Sequence, residues 1–194
     1  MRIAVAVFED AEELDWAGPW EVFGQWAESA PELGLELFTV AETDEPVRCA
    51  KGLRVLADRT WDQLGHIDVL LYPGGIGTRR QLGQAHIRER MRQCAAAGTL
   101  MASVCTGSLV FADAGLLDGR PATTHFSALD LLGSLGKDID VQAHARFVDD
   151  GDIVTAAGVS AGIDMALSLV ARLDSRERAA AVRREIQYAP DPPA

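Results

Sequence analysis

Cys105 stands in the run Ser103, Val104, Cys105, Thr106, Gly107, Ser108, where an apolar stretch (99–104) meets a helical pattern (106–114). A nucleophile elbow needs small residues two before and two after the reactive side chain, because strand and helix backbones crowd there. Ser103 and Gly107 supply them. A helix N-terminus adds partial positive charge and unpaired N–H groups, which favour a thiolate. A core thiol is the alternative for any cysteine. Cys49, in a proposed hairpin, and Cys94, on a helix face, are read that way, whereas Cys105 is read as reactive.

Asp15 follows the first apolar run and precedes a helical pattern. A carboxylate there caps the helix. If the fold sets it, partly buried, beside a thiol, its pKa rises and it can take up and return a proton. Pro73, Gly74, Gly75, Ile76 and Gly77 fit neither common phosphate-binding pattern. They form a tight turn at a strand end, and its N–H groups are placed to make half of an oxyanion-type hole facing Cys105. Gly158, Val159, Ser160, Ala161 and Gly162 match G-x-S-x-G. The hydrolase order would put an acid and a histidine after the serine, and all four histidines precede it. Ser160 is therefore read as a helix N-cap. His125 comes twenty residues after Cys105 and could approach it, but is read as a structural hydrogen-bonding residue on a strand entering the core.

The elements that must position these residues alternate between short apolar runs and longer amphipathic ones. Strands are expected over 2–8, 35–41, 67–72, 99–104, 122–125 and 153–157, with an extended hairpin over 47–59 turning at Lys51 and Gly52. Helices are expected from Pro19, placed in a first turn, and over 84–97, 106–114, 161–173 and 175–188. Continuous apolar strands separated by helices mean a mostly parallel sheet sandwiched by helices, a doubly wound, flavodoxin-like α/β fold. Without a repeat, linker or low-complexity block, residues 1–194 are read as one domain. The Pro-rich end, APDPPA, is not expected to fold on its own.

The chain has 194 residues, 48% hydrophobic and 24% charged, with a net charge of −11. That composition is globular, and its acidity disfavours nucleic acid and anionic membranes as partners. No apolar stretch reaches membrane-spanning length, and the N-terminus lacks the apolar core of a signal peptide. A cytoplasmic location is expected. The three cysteines make no disulfide framework and, with the histidines, no zinc-like spacing.

Taken together, LDWAGPWEVF, YPGGIG, SVCTGS, GLLDGRPATTH and AAGVSAGIDMALSL resemble the DJ-1/PfpI superfamily over nearly the whole chain. Within it the pattern is most similar to the isonitrile hydratases: Asp15 stands where many members have Glu, and Thr106 where protease-like members have His. The resemblance implies Cys105 as nucleophile, Asp15 as its acidic partner and Thr106 as the polar neighbour that orients Asp15 or water. It also implies substrate contacts from Gly74, Gly75, Val159 and Trp16, with the two glycine N–H groups facing the thiol. It implies a small-molecule substrate, an isonitrile, no metal or organic cofactor, and a homodimer. The chain stops soon after YAPDPP, which leaves the dimer contacts and pocket lid of longer members open. Two alternatives remain. One is a glyoxalase or deglycase using the same thiolate. The other is a non-catalytic ligand or oxidation sensor like the amidase-like domains of AraC-type regulators, with about twenty residues after Leu173 being too few for a DNA-binding domain.

Overall fold

A computed structural model describes residues 1–190. In chain order the elements are β1 (Arg2–Ala6), α1 (Glu13–Ser29), β2 (Glu36–Ala41), β3 (Val47–Arg48), β4 (Arg54–Val55), β5 (Arg59–Thr60), β6 (Val69–Tyr72), α2 (Thr78–Gln81), α3 (Ala85–Ala96), β7 (Leu100–Val104), α4 (Gly107–Asp113), β8 (Pro121–Ala122), α5 (Leu129–Leu135), β9 (Asp140–Val141), β10 (Phe147–Asp150), β11 (Ile153–Ala156), α6 (Ala161–Leu173) and α7 (Arg176–Glu185). The main sheet has seven strands in the order β10-β11-β7-β6-β1-β2-β5. Every pairing in it is parallel except β10 with β11.

The four central strands are RIAVA, VLLY, LMASV and IVTA, and all but Arg2 of their residues are buried. Strands covered on both faces have no solvent side to alternate toward, so they read as unbroken apolar runs. Helices α1, α6 and α7 pack on one another as one layer, and α3 and α4 pack together over β7 as the other. From β1 the chain first moves outward to β2, then returns to β6 on the other side of β1 and continues to β7 and β11. The reversal opens a crevice at the carboxyl ends of β1 and β6, the place where α/β sheets bind ligands. The residues following β1, β6, β7 and β11 are those of Asp15, Gly74, Cys105 and Val159.

Several local expectations shift. The hairpin exists as β3–β4 with Gly52 at its turn (φ 97°), but Arg59 belongs to the main sheet beside β2. Helix α1 begins at Glu13, so Pro19 is inside it rather than in its first turn. A proline there donates no N–H to the carbonyl four residues back, that of Asp15. Of the strand expected over 122–125 only Ala122 pairs. Thr123 and Thr124 are buried, and His125 caps the short 3-10 turn Phe126–Ala128 by accepting from Ser127 N at 3.3 Å. Ser160 makes no side-chain cap on α6; its hydroxyl accepts from Arg146 Nη2 at 3.1 Å. The antiparallel edge β10 and helix α5 had no periodic signal strong enough to read. The Pro-rich end falls partly on residues 191–194, outside the described residues.

The turn into α4 is set by close backbone contact. A Cβ on Gly107 would sit 2.3 Å from the Tyr72 carbonyl oxygen, so only glycine lets α4 start this close to β6. Gly107→Ala should lower the unfolding free energy by about 2–4 kcal/mol, because backbone must move to admit the methyl group. Ser103 offers the contrast: its hydroxyl is buried with no hydrogen-bond partner, so Ser103→Ala should change stability by less than about 1 kcal/mol. Urea titrations of both variants check this, and equal midpoints would contradict it.

Candidate active site

Cys105 occupies the first residue after β7 with φ +57°, the left-handed region that costs a non-glycine residue energy. The conformation is clamped from all sides. Cys105 N donates to the carbonyls of Ala156 (3.1 Å) and Ala157 (3.0 Å), and Cys105 O accepts from Thr124 Oγ1 (2.8 Å) and Ser108 Oγ (3.2 Å). The side chain is 7% exposed and opens into a recess of about 210 Å³ lined by Glu12, Gly75, Ile76, Arg79, Cys105, Thr106, His125 and Val159. The elbow is therefore formed, and its sulfur reaches a cavity.

Asp15, in the first turn of α1, is fully buried. It does not cap its own helix. Its Oδ2 accepts from Gly74 N at 2.9 Å, while Oδ1 is buried with no hydrogen-bond partner. The Cys105 thiol lies beside this carboxyl, and each perturbs the other's titration. Asp15 does not line the recess; it sits behind the sulfur. Burial, opposed by the Gly74 N–H and reinforced by the charge of Glu12, raises its carboxyl to about 7. Burial and the adjacent Asp15 charge push the Cys105 thiol up to about 12, against the pull of the Thr106 N–H.

That is opposite in direction to the thiolate expected from a helix N-terminus. Helix α4 is only seven residues long, and one N–H does not offset the desolvation of a buried sulfur flanked by a carboxylate. The resting pair is a protonated thiol beside a carboxyl that titrates at about 7.

The glycine turn also differs from expectation. Gly74 N is committed to Asp15, and Gly75 N donates to Thr106 Oγ1 at 3.0 Å. Both N–H groups are taken by other acceptors, so neither is free to form half of an oxyanion hole. A Cβ on Gly75 (φ +117°) would meet Asp10 O at 2.4 Å, which holds this turn against the segment leading into α1. Thr106 contacts the turn rather than Asp15: its hydroxyl also donates to Gly75 O (3.1 Å) and receives Thr78 Oγ1 at 3.1 Å. Val159 lines the recess as expected, at φ +50°. Trp16 does not; its indole nitrogen is buried without a partner, beside the Cys49 thiol.

Glu12, Ile76, Arg79 and His125 line the recess without having been singled out as substrate contacts. Ile76 and Arg79 directly follow the glycine turn, and that adjacency was the available signal. His125 keeps the structural role read for it through Nδ1, 2.8 Å from Ser127 Oγ, yet it also borders the cavity. A larger cleft of about 410 Å³ lies beside Cys94, but Cys94 is on a regular helix with no elbow. Among the described residues, no group of three or more His, Cys, Asp or Glu is placed to hold a metal ion, and no helix is long and apolar enough to cross a membrane.

The DJ-1/PfpI family model matches residues 1–172. The chain belongs to the DJ-1/PfpI family. An isonitrile hydratase from Pseudomonas putida is 35% identical over all of this chain and 81% of its own length. The HTH-type transcriptional regulator GbdR from Pseudomonas aeruginosa is 30% identical over 80% of the chain, which spans 42% of that longer protein. The crystal structure of a ThiJ/PfpI family protein from Pseudomonas syringae superposes with a TM-score of 0.89 at 34% identity, covering all of this chain and 77% of the other. As a DJ-1/PfpI domain the chain carries its elbow cysteine at the end of β7 and its buried carboxyl in the first turn of α1 after β1, with β6 between the two strands.

The raised Asp15 carboxyl has a thermodynamic consequence. Between the unfolded value near 4 and about 7 the folded protein holds a proton that the unfolded chain has released, so stability falls as pH rises through that window. The ceiling of the effect is about 4 kcal/mol for a three-unit shift. Asp15→Asn cannot ionise. Its stability relative to the wild type should therefore increase between pH 5 and 8, as read from urea midpoints across that range. A constant difference would show that Asp15 titrates normally.

Proposed function

We propose that this protein is an isonitrile hydratase, adding water to an isonitrile to give an N-substituted formamide, with Cys105 as nucleophile and Asp15 as proton carrier. The observation that carries the reading is the buried carboxyl beside the elbow sulfur, with one oxygen held by Gly74 and the other free. The 35% identity to a hydratase along the whole chain supports it.

The isonitrile carbon is terminal and carbene-like, and a soft sulfur nucleophile suits it. As Cys105 Sγ bonds that carbon, the thiol proton passes to the Asp15 carboxylate, so no free thiolate has to be stored in a desolvated site. The carbon is now one bond from the sulfur and therefore near Asp15, which delivers the proton to it. The product of the two transfers is a thioimidate, R–N=CH–S–Cys105. Water then adds to the same carbon, and the proton it loses to the Asp15 carboxylate passes on to the imine nitrogen, giving R–NH–CH(OH)–S–Cys105. As the C–S bond breaks, the hydroxyl proton moves through Asp15 to the departing sulfur, which releases R–NH–CHO and restores the thiol. One water is consumed and the enzyme is unchanged. Thr106 holds the glycine turn that presents Gly74 N–H to Asp15, and Val159 and Ile76 give the substituent an apolar wall. The proposal takes residues 1–194 as one domain acting on a small molecule as a homodimer in the cytoplasm.

Incubation with n-butyl isonitrile should produce N-butylformamide, followed by the formyl proton in NMR spectra. Cys105→Ala should give none. The wild-type kcat/KM should rise with pH through an apparent value near 7, as Asp15 becomes able to accept the thiol proton. Asp15→Asn should lose that limb and fall by about 10²-fold or more. Consumption of methylglyoxal with no formamide from the isonitrile would replace this reading with a glyoxalase one.

A further inference from the structure

Arg79 is the charged side chain in the recess that has no countercharge. It is half-buried in α2, and its one hydrogen bond is from Nη1 to Thr78 Oγ1 at 3.0 Å. Among the described residues it has no carboxylate within ion-pair distance, whereas Arg80 pairs with Asp10, Arg88 with Asp113 and Arg90 with Glu42. The other charge in the lining, Glu12, is bonded to Lys51. Asp15 lies behind the sulfur and does not reach the surface of the recess.

The guanidinium is tied to the reacting centre by a short chain of contacts. Thr78 is fully buried, and its hydroxyl reaches Thr106 Oγ1 at 3.1 Å, next in sequence to the nucleophile. A planar guanidinium has five donors and one is used here, so it offers a forked site for a carboxylate. Ile76 and Val159 supply apolar surface in the same recess, whose 210 Å³ admits a chain of a few carbons.

We propose that Arg79 recognises an anionic substituent, and that the substrates are small isonitriles carrying a carboxylate. This rests on the hydration reading above and adds a specificity to it. The protein's charge of −11 opposes anions at long range, but at physiological salt that field is screened within about 8 Å, and the local cation decides.

Two measurements separate the claims. The first needs no turnover. Full-length protein in 150 mM salt is alkylated with iodoacetate or iodoacetamide, and modification of each cysteine is followed by peptide mass mapping. The iodoacetate-to-iodoacetamide rate ratio at Cys105 should fall about tenfold in Arg79→Met, a change of about 1.4 kcal/mol, while the ratio at Cys94 stays constant. Arg79→Lys should recover most of the ratio at Cys105. The same ratio at Cys105 in wild type and Arg79→Met overturns the assignment. The second measurement compares kcat/KM for isocyanoacetate and its methyl ester. The wild type should favour the carboxylate, and the preference should collapse in Arg79→Met. Equal use of both substrates by the wild type overturns the specificity and leaves hydration standing. Turnover of neither removes the hydration reading, and the alkylation ratio then still decides whether Arg79 is an anion site.

Discussion

A thiol and a carboxyl buried together, with a single backbone N–H on the carboxyl, set the character of this protein. Burial raises both groups and the Asp15 charge raises the thiol further, while contact with the thiol lowers the carboxyl, because the thiol meets it as a neutral donor and not as a second anion. Cys105 pushed up to about 12 would be inert alone. In the proposed reaction Asp15, at about 7, is the acceptor for the thiol's proton. The proposed proton transfer lets the pair react without storing a free thiolate in a desolvated site.

The surrounding structure keeps that pair from drifting apart. The crossover after β1 carries Asp15, the end of β6 carries Gly74, and the end of β7 carries Cys105, on three adjacent parallel strands. The Gly74 N–H ties the first of these to the second. The hydroxyls of Thr106 and Thr78 tie the second to the third through Gly75. Two non-glycine residues in left-handed conformation, Cys105 and Val159, border the same recess. A β-branched residue is especially unfavourable there. Such strain persists only where surrounding contacts over-determine the backbone, and the four hydrogen bonds around Cys105 do so.

The helical layer behind the site serves the same end. Gly18 and Pro19 of α1 lie against Ile163 and Gly162 of α6, bringing the helix that bears Asp15 close to β7. At its far end α1 is anchored by Trp26 Nε1, which donates to Asp174 Oδ2 at 2.9 Å, and Arg178 of α7 joins the same carboxylate. Helix α1 is thus held at both ends.

The central strands, the helices over 84–97 and 161–173, the elbow at Cys105 and the glycine turn were all legible in the chain, because apolar periodicity and backbone crowding are local and leave their mark on neighbouring residues. Residues 122–125 misled for the same reason: two threonines look like a strand, but burial there comes from side-chain bonds to Cys105 O and from packing, not from a ladder. What residue order determined is the doubly wound sheet and the candidate nucleophile at a strand end. The tertiary structure decided the rest: the sulfur's high rather than low pKa, the commitment of the glycine N–H groups to Asp15 and Thr106, the turning of Trp16 to Cys49, and the placing of the Arg79 guanidinium in the recess. Each of these depends on the dielectric around a group and on which distant partner reaches it first, and neither is encoded in the spacing of residues along a chain.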